Sequence, residues 1–428
     1  MPRASPAPYG AWTMWINVYA VLTPVVLALV LAELIYCWKK KNGYYNFQDS
    51  VASMGTAVIN QCVNVAVAFA VLPLFEGLAR FQWIEWDRSS PVGWVALFLG
   101  VDFLFYWFHR FGHETNVGWA AHSPHHSTEE LNYAVALRAS VTQRLFSFLF
   151  YWPLVIVGFA PADVLAVVAL HLVLQFIPHT RVVPILPNWI ESWMNTPSHH
   201  RVHHARNDRY LDKNYGGFLI IWDRLFGTYE PETEACSYGL TTPIETWDPN
   251  RINFREWGQL WRDAVAAPRF FDKLRLWVMP NGWRPAGLPP IPHADWRHEG
   301  VERKFRSVEL PGYRAYLTVQ VIAAMPFMLL VSHHNSPING AGKVILTVGL
   351  WLGAMAWAGI LESKPWAVPL EGLRVALLGV ASVGLLWGAG VAEPQWLMLP
   401  GVWLLGSLGW LLAIRSARTL RVGAEVSS

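Results

Sequence analysis

The chain has 428 residues, of which 53% are hydrophobic and only 15% are charged. Because a soluble domain usually carries about 25% charged residues, the composition favours a membrane protein, and the net charge of +3 gives no indication of a nucleic-acid partner. Cys37, Cys62 and Cys236 lie far apart and form no CxxC pair, which excludes a disulfide framework and a thiolate metal site.

Apolar runs of membrane-spanning length divide the first half of the chain. The first run, 12–38, ends in three lysines at 39–41, which mark the cytoplasmic side and place the N-terminus outside. Runs at 53–78 and 92–108 cross back and return, so the third run ends at His109 on the cytoplasmic side. Runs at 141–159 and 162–177, joined by Ala160 and Pro161, predict a helical hairpin with both flanks on one side.

Residues 178–311 mix apolar with charged residues, are rich in Trp and Pro, and contain no apolar run long enough to span a membrane. This composition predicts a cytoplasmic cap with short amphipathic helices, for example at 254–265. Four apolar runs follow, near 313–332, 344–361, 373–390 and 396–414. The tail then carries Arg415, Arg418 and Arg421, which favour the cytoplasmic side. Residues 1–10 do not resemble a cleaved signal peptide.

These patterns predict an all-α, polytopic membrane helix bundle of about nine spans, with the catalytic site and the C-terminus cytoplasmic. A bacterial inner membrane and the endoplasmic reticulum are equally compatible with them. We expect a catalytic membrane domain with its cap at 1–300, core motifs at 102–232, and a four-span region of unknown role at 301–428. The sequence makes no prediction of oligomeric state.

Eight of the 15 histidines fall in three clusters with ligand spacing: His109 and His113; His122, His125 and His126; and His200, His203 and His204. Residues i, i+3 and i+4 of a helix share a face, so each cluster directs its imidazoles to one place. Eight imidazoles are too many for one tetrahedral zinc and suit two first-row transition metals with positions open for dioxygen. A lone histidine would be better explained as an interface or core residue, but three clusters on one side predict a metal centre.

Several motifs surround these clusters: HRFGHE at 109–114, AHSPHHS at 121–127, ALR at 136–138, TPSHHRVHH at 196–204, DKNYGG at 212–217 and IWDRLFGT at 221–228. In this order they resemble the fatty acid hydroxylase / sterol desaturase superfamily, and within it the family of alkylglycerol monooxygenases. The resemblance extends over about 102–232. It implies a reduced di-iron centre that activates dioxygen and hydroxylates a lipid.

For alkylglycerol monooxygenases the resemblance implies attack at the carbon next to an ether oxygen. The resulting hemiacetal breaks down to an aldehyde and a glycerol lipid, and a tetrahydropterin is the reductant. Glu114 matches the acidic residue that follows the second histidine of that family, where it is associated with activity and pterin use. We therefore expect Glu114 to be a catalytic residue.

His179 follows Pro178 at the cytoplasmic end of the fifth run, a place from which families of this kind often take one more ligand. We favour a ligand over an interface histidine. Asp102 precedes His109 by seven residues on the same helical face, which favours a catalytic-site carboxylate that orients an imidazole over a helix–helix hydrogen bond. His171 is better explained as a hydrogen-bonded packing residue.

Further polar residues are candidates for holding the ligands in place. Asn60 and Asn64, one turn apart in the second run, are equally compatible with lining the pocket and with joining helices. The matched cap segment contributes acidic and polar residues that we expect to support the metal ligands, with structural roles as the alternative: Asp212, Asn214, Tyr215 and Asp223. His199 points about 100° away from His200 on a helix and is left out of the ligand set.

We interpret the chain as an O2-dependent di-iron monooxygenase that hydroxylates a lipid C–H bond, with its substrate drawn from the bilayer. No nucleotide loop, cytochrome domain or iron–sulfur cysteine motif is recognisable, so a pterin or a separate electron-transfer partner must supply electrons. Zinc could replace iron in purified protein. One alternative is a sterol or fatty-acyl hydroxylase or desaturase of the same superfamily, and another is a histidine-rich metal transporter, whose site should lie near the membrane midplane.

Overall fold

Helices account for nearly all the regular structure in the computed structural model, which describes residues 10–291, 297–298, 301–333, 336–391 and 393–426. The first half of the chain forms α1 Gly10–Lys40, α2 Phe47–Leu78, α3 Pro91–Glu114, α4 Asn116–His126, α5 Gln143–Val157, α6 Pro161–Phe176, α7 Asn188–Glu191, α8 Pro197–His204 and α9 Ile221–Phe226. The second half forms α10 Pro249–Ala266, α11 Phe270–Arg275, α12 Arg314–Ser332, α13 Gly340–Leu361, α14 Ala367–Gly388 and α15 Pro394–Val426. A single short antiparallel pair joins β1 Arg297–His298 to β2 Val301–Glu302 within these described residues.

The all-α membrane architecture expected from the sequence is confirmed. Among the residues that the structure describes, five helical segments are long and apolar enough to cross a membrane: Phe47–Phe81, Pro91–Glu114, Arg314–Ser332, Gly340–Leu361 and Ala367–Gly388. The count of nine spans is not confirmed, because α5 and α6 have only 15 and 16 residues and a spanning helix needs about 20. The side chains of Arg415, Arg418 and Arg421 lie outside the described part of the chain.

The chain divides into two compact units. The first consists of Met1–Asn46, Ala66–Ile244 and Asn253–Lys304, and the second of Phe47–Val65, Glu245–Ile252 and Phe305–Ser428. The predicted boundary between 300 and 301 stays a prediction.

The apolar core of the first unit forms where α3, α5 and α6 pack together, with fully buried Val101, Val155 and Val164. Helix α3 begins with Pro91 behind Ser90, whose hydroxyl accepts a hydrogen bond from the Gly93 amide, as is typical of a capped start. A single residue, Thr115, separates α3 from α4 and accepts a hydrogen bond from the amide of Gly118. This abrupt corner turns α4 back so that its histidines face those of α3.

The second unit contains a buried ion pair between two residues of α14, Glu371 and Arg374, both almost fully buried. Arg374 also donates to Gln320 Oε1 at 2.9 Å, and the Tyr316 hydroxyl donates to Glu371 Oε1 at 2.8 Å. Charges inside apolar helices are tolerated when each is paired and hydrogen-bonded. This network joins α12 to α14 within the second unit.

Candidate metal centre

Helical spacing and three chain reversals bring nine histidines of the first unit together. Helix α3 carries two of them one turn apart, α4 and α8 carry three each, and His179 lies just after α6. They form a first histidine group, His109, His113, His122, His126 and His203, and a second histidine group, His125, His179, His200 and His204. Within each group the candidate ligand atoms lie within 4.8 Å of one another.

The two groups adjoin. The rings of His126 and His204, one from each group, stack with their centroids 4.4 Å apart. His200 and His203 stack at 5.3 Å on the same face of α8. All nine histidines proposed as ligands from the sequence are therefore placed in one region as two neighbouring clusters.

Hydrogen bonds fix the tautomers of the second group. His125 Nδ1 lies 2.8 Å from the Arg138 carbonyl and His179 Nδ1 lies 2.9 Å from the Gln175 carbonyl. A carbonyl only accepts, so each Nδ1 carries the proton and each Nε2 presents a lone pair. Yet these two Nε2 atoms lie 3.2 Å apart, with His200 Nε2 2.9 Å from that of His179. Converging lone pairs repel one another unless a cation lies between them, so the donor set fits a metal ion.

One loop, residues 212–215, orients three imidazoles of the first group. The Tyr215 carbonyl accepts from His109 Nδ1 at 2.8 Å, and the Lys213 carbonyl accepts from His203 Nδ1 at 3.0 Å. Asp212 Oδ1 lies 3.4 Å from His113 Nδ1. Carbonyls and carboxylates in this position fix the ring orientation of metal-binding histidines. In the described part of the chain the buried Nε2 atoms of His113 and His203 have no hydrogen-bond partner, which leaves them free to bind a metal.

Burial keeps the imidazoles of the two groups that lie outside α3 neutral. Removal from water lowers the pKa of His125 to about 4 and lowers the pKa of the other buried imidazoles well below its usual range, namely His122, His126, His179, His200, His203 and His204. Neutral imidazole is the form that binds a metal. The site is therefore prepared for cations and needs no buried carboxylate among its ligands.

The orienting loop is itself held by the other candidates of the cap segment. Asn214, in the left-handed region at φ 57°, donates to the His199 carbonyl at 3.1 Å and to the Glu230 carbonyl at 2.8 Å. Asp223 accepts from the amides of Tyr215 and Gly216 at 2.7 Å each, and burial raises its pKa to about 6. These contacts hold the loop in place, and support of bound metal by Asn214 and Asp223 stays a prediction.

The imidazole that Asp102 contacts is that of His171. Its carboxylate is fully buried and accepts from His171 Nε2 at 2.6 Å, from the Phe218 and Leu219 amides at 2.7 and 3.2 Å, and from Trp222 Nε1 at 2.8 Å. It orients His171 and the 218–222 segment, and none of its hydrogen bonds goes to a histidine of either group. The Nδ1 atom of His109 is bonded to the Tyr215 carbonyl, and a catalytic role for Asp102 stays a prediction.

The remaining candidates occupy different surroundings. Glu114, whose side chain is 41% exposed, accepts from Arg110 Nε at 2.9 Å at the end of α3. Asn64 donates to Asn60 Oδ1 at 2.6 Å within the second unit, and a pocket role for this pair stays a prediction. His199 contacts Glu191 at 3.0 Å and belongs to neither group.

Glu33 is a supporting residue that the sequence analysis did not single out. This buried carboxylate of α1 accepts from the Tyr45 hydroxyl at 2.6 Å and the Tyr133 amide at 2.7 Å, and from the hydroxyl of Thr180, which follows His179. An isolated acidic residue near the end of an apolar run was the only available signal.

Replacing Glu33 by alanine is expected to lower the free energy of unfolding by about 2 kcal/mol, because three donors lose their acceptor. Since Thr180 adjoins His179, we also expect the second histidine group to bind metal more weakly. Thermal unfolding and elemental analysis of the purified protein measure the two effects. Tyr45→Phe removes one donor and leaves every other donor with its acceptor, so it should change the free energy of unfolding by less than about 1 kcal/mol. Equal effects of the two variants would contradict this role for Glu33.

Comparisons with known proteins agree with this geometry. A family model described as fatty acid hydroxylase matches residues 94–228. The chain is 36% identical to the human protein named alkylglycerol monooxygenase over 360 residues, which cover 82% of the chain and 79% of that relative. It is 37% identical to the Xenopus tropicalis protein of the same name, over 82% of the chain and 78% of the relative. No solved structure matches the chain.

A more distant relative is named for the hydroxylation of a different lipid. The chain is 27% identical to an ornithine lipid hydroxylase from Rhizobium tropici, over 54% of the chain and 72% of that relative. The matched 94–228 segment contains all nine histidines of the two groups. The similarity therefore includes the whole candidate metal centre.

Proposed function

The chain belongs to the fatty acid hydroxylase family and is an integral membrane oxygenase, and from that premise we propose that it is a di-iron monooxygenase that cleaves alkylglycerol ether lipids. The observation that carries the proposal is the convergence of imidazole lone pairs in two adjoining groups. Two bound irons would supply the activation of dioxygen. Membership of an oxygenase family sets aside the metal transporter as an alternative.

In this proposal the chain's own residues hold the ligands and keep water away. The first histidine group would hold one iron and the second group would hold the other. The 212–215 loop and the Arg138 and Gln175 carbonyls fix the rings, so that little reorganisation accompanies metal binding. Burial of the imidazoles keeps the reacting region poor in water, which protects reactive species from side reactions.

The proposed reaction inserts one oxygen atom of O2 into the C–H bond next to an ether oxygen. The other oxygen atom leaves as water, with two electrons and two protons from an external reductant such as a tetrahydropterin. The hydroxylated carbon is a hemiacetal, which breaks its C–O bond to release a fatty aldehyde and a glycerol lipid. We propose that Glu114, whose side chain is partly exposed at the end of α3, affects use of the reductant.

The test is a turnover assay on iron-loaded, full-length protein in lipid nanodiscs with a tetrahydropterin. An alkylglycerol should yield fatty aldehyde with matched O2 consumption, and the corresponding acylglycerol, which has an ester in place of the ether, should not. Hydroxylated or desaturated acyl chain without aldehyde would favour the alternative of a fatty-acyl hydroxylase, which the ornithine lipid hydroxylase relative supports. Absence of any oxidised lipid from both substrates, with iron bound, would contradict the proposal.

A further inference from the structure

A helical segment of the first unit exposes an apolar face. Helix α11 continues through a 3-10 turn to Val278, and its outer face carries large apolar side chains that are more than half exposed: Phe270 66%, Phe271 76%, Leu274 58% and Val278 66%. Positions i, i+1, i+4 and i+8 lie within an arc of about 100° on a helix. Asp272 and Leu276, on the opposite side, are buried. The exposed face is thus the side turned away from the rest of the protein.

The same surface continues onto the end of α10. Trp261 and Val265, one turn apart, are 65% and 62% exposed. Four basic residues neighbour these apolar residues along α10 and α11: Arg262, Arg269, Lys273 and Arg275. The Lys273 ammonium donates to the Val265 carbonyl at 2.7 Å, which joins the two helices, and Arg275 pairs with Asp272 at 2.7 Å. Aromatic and aliphatic side chains bordered by Lys and Arg are typical of helices that lie in the plane of a membrane surface. We call these ten residues the α10–α11 surface.

Hydrogen bonds hold this surface at the end of a membrane-spanning helix. Asn116, the first residue of α4, donates through its side chain to the Leu276 and Trp283 carbonyls at 2.9 Å each, and through its amide to the Met279 carbonyl at 3.0 Å. The Asn281 amide donates to the carbonyl of Glu114 at 3.0 Å. Helix α3 ends at Glu114 and is long and apolar enough to span a bilayer, so this end marks a membrane boundary. The α10–α11 surface is attached at that level.

We propose that the α10–α11 surface lies in the headgroup region of the bilayer at the end of α3 that carries the histidines. There the apolar side chains enter the boundary of the acyl chains, and the basic side chains bind anionic lipid headgroups. A second copy of the chain is the less suitable occupant, because a two-fold contact would bring the same cluster of positive charges together. Anionic lipid complements both the charge and the apolar face.

The first test places an environment-sensitive fluorophore at Phe271→Cys, on a chain carrying Cys236→Ser because Cys37 and Cys62 are buried. The full-length protein is reconstituted in vesicles of phosphatidylcholine and phosphatidylglycerol. We expect lipids with a nitroxide at the headgroup or upper acyl chain to quench the label, and aqueous iodide to leave it largely unquenched. The same label at the exposed Asp208 of the first unit is the control, with iodide as its main quencher.

Efficient iodide quenching at position 271 would overturn the proposal, because the surface would face water. A label protected from both iodide and lipid nitroxides would also overturn it, because protein and not lipid would cover the surface. Neither outcome depends on activity or metal content. A negative result would therefore contradict the proposed membrane contact without contradicting the proposed monooxygenase reaction.

The second test concerns the charges. The triple variant Arg262→Gln, Arg269→Gln, Lys273→Gln is expected to lose enrichment of spin-labelled phosphatidylglycerol over phosphatidylcholine by about fivefold for each charge removed. Arg209→Gln, which removes an exposed basic side chain of the same unit outside the surface, should leave the enrichment unchanged. Equal enrichment in wild type and the triple variant would show that these basic side chains do not bind anionic lipid.

Discussion

His179→Ala is expected to remove the metal from the second histidine group, so that iron per chain falls by about half and turnover falls by at least about 100-fold. His179 is central to that group, with its Nε2 atom 2.9 Å from that of His200 and 3.2 Å from those of His125 and His204. The second histidine group has four candidate ligands. The alanine variant removes one of them, so three imidazoles remain and water gains access to the space that the ring of His179 occupied. Elemental analysis of iron-loaded protein, together with the turnover assay, measures both effects.

His199→Ala is the matched control, because His199 lies inside the histidine-rich 199–204 segment yet contributes to neither group. Its ring contacts Glu191 and Thr196, so the variant should lose stability while its folded fraction keeps both metals. Full iron content in His179→Ala would remove His179 from the ligand set. Loss of iron in His199→Ala with retention in His179→Ala would reverse the two assignments.

The sequence predicted the grouping of the histidines because short-range periodicity determines much of it. The i, i+4 spacing of His109 and His113, and the i, i+3, i+4 spacing of the other clusters, place imidazoles on one helical face in any helix. His179 was found through its position after Pro178 and the family resemblance. The arrangement of the ligands as groups of five and four requires the packing of α3, α4 and α8, which no local pattern contains.

Contacts that depend on the backbone were inaccessible to sequence reasoning. The groups that fix His109, His125, His179 and His203 are main-chain carbonyls, which every residue has and which only the fold selects. Neither Gly216 nor Gly217 has a positive φ. A Cβ at Gly217 would lie 2.4 Å from His171 Cε1, so this glycine permits close packing against α6.

The sequence predicted the helices of the membrane domain but not which of them cross the bilayer. Hydropathy found helices at every predicted run, because apolar composition is a local property. Whether α5 and α6 cross the bilayer depends on lengths of 15 and 16 residues and on their neighbours, which composition alone does not determine. The predicted orientation, with the N-terminus outside, stays a prediction.

Asp102→Ala is expected to lower the free energy of unfolding by at least about 3 kcal/mol, because four donors lose a fully buried acceptor. Each donor left without a partner costs about 1–3 kcal/mol, and relief from burying the carboxylate offsets only part of that. Trp222 Nε1 and the amides of Phe218 and Leu219 belong to a segment that is bonded to α3 through this carboxylate. Thermal unfolding in detergent measures the change.

Asp102→Asn separates the lost hydrogen bonds from lost packing. Oδ1 accepts from His171 and Phe218, and Oδ2 accepts from Leu219 and Trp222, so an amide that keeps one oxygen can satisfy only one of these two pairs. We therefore expect about half the destabilisation of the alanine variant, with both metals retained in the folded fraction because Asp102 contacts neither histidine group.

Asp163→Ala is the control: its carboxylate pairs with Arg88, whose side chain is 62% exposed, and such a pair contributes less than about 1 kcal/mol. If Asp102→Ala and Asp163→Ala unfold alike, the carboxylate of Asp102 does not stabilise the 218–222 segment. If Asp102→Asn loses metal while it stays folded, Asp102 acts on the histidines after all.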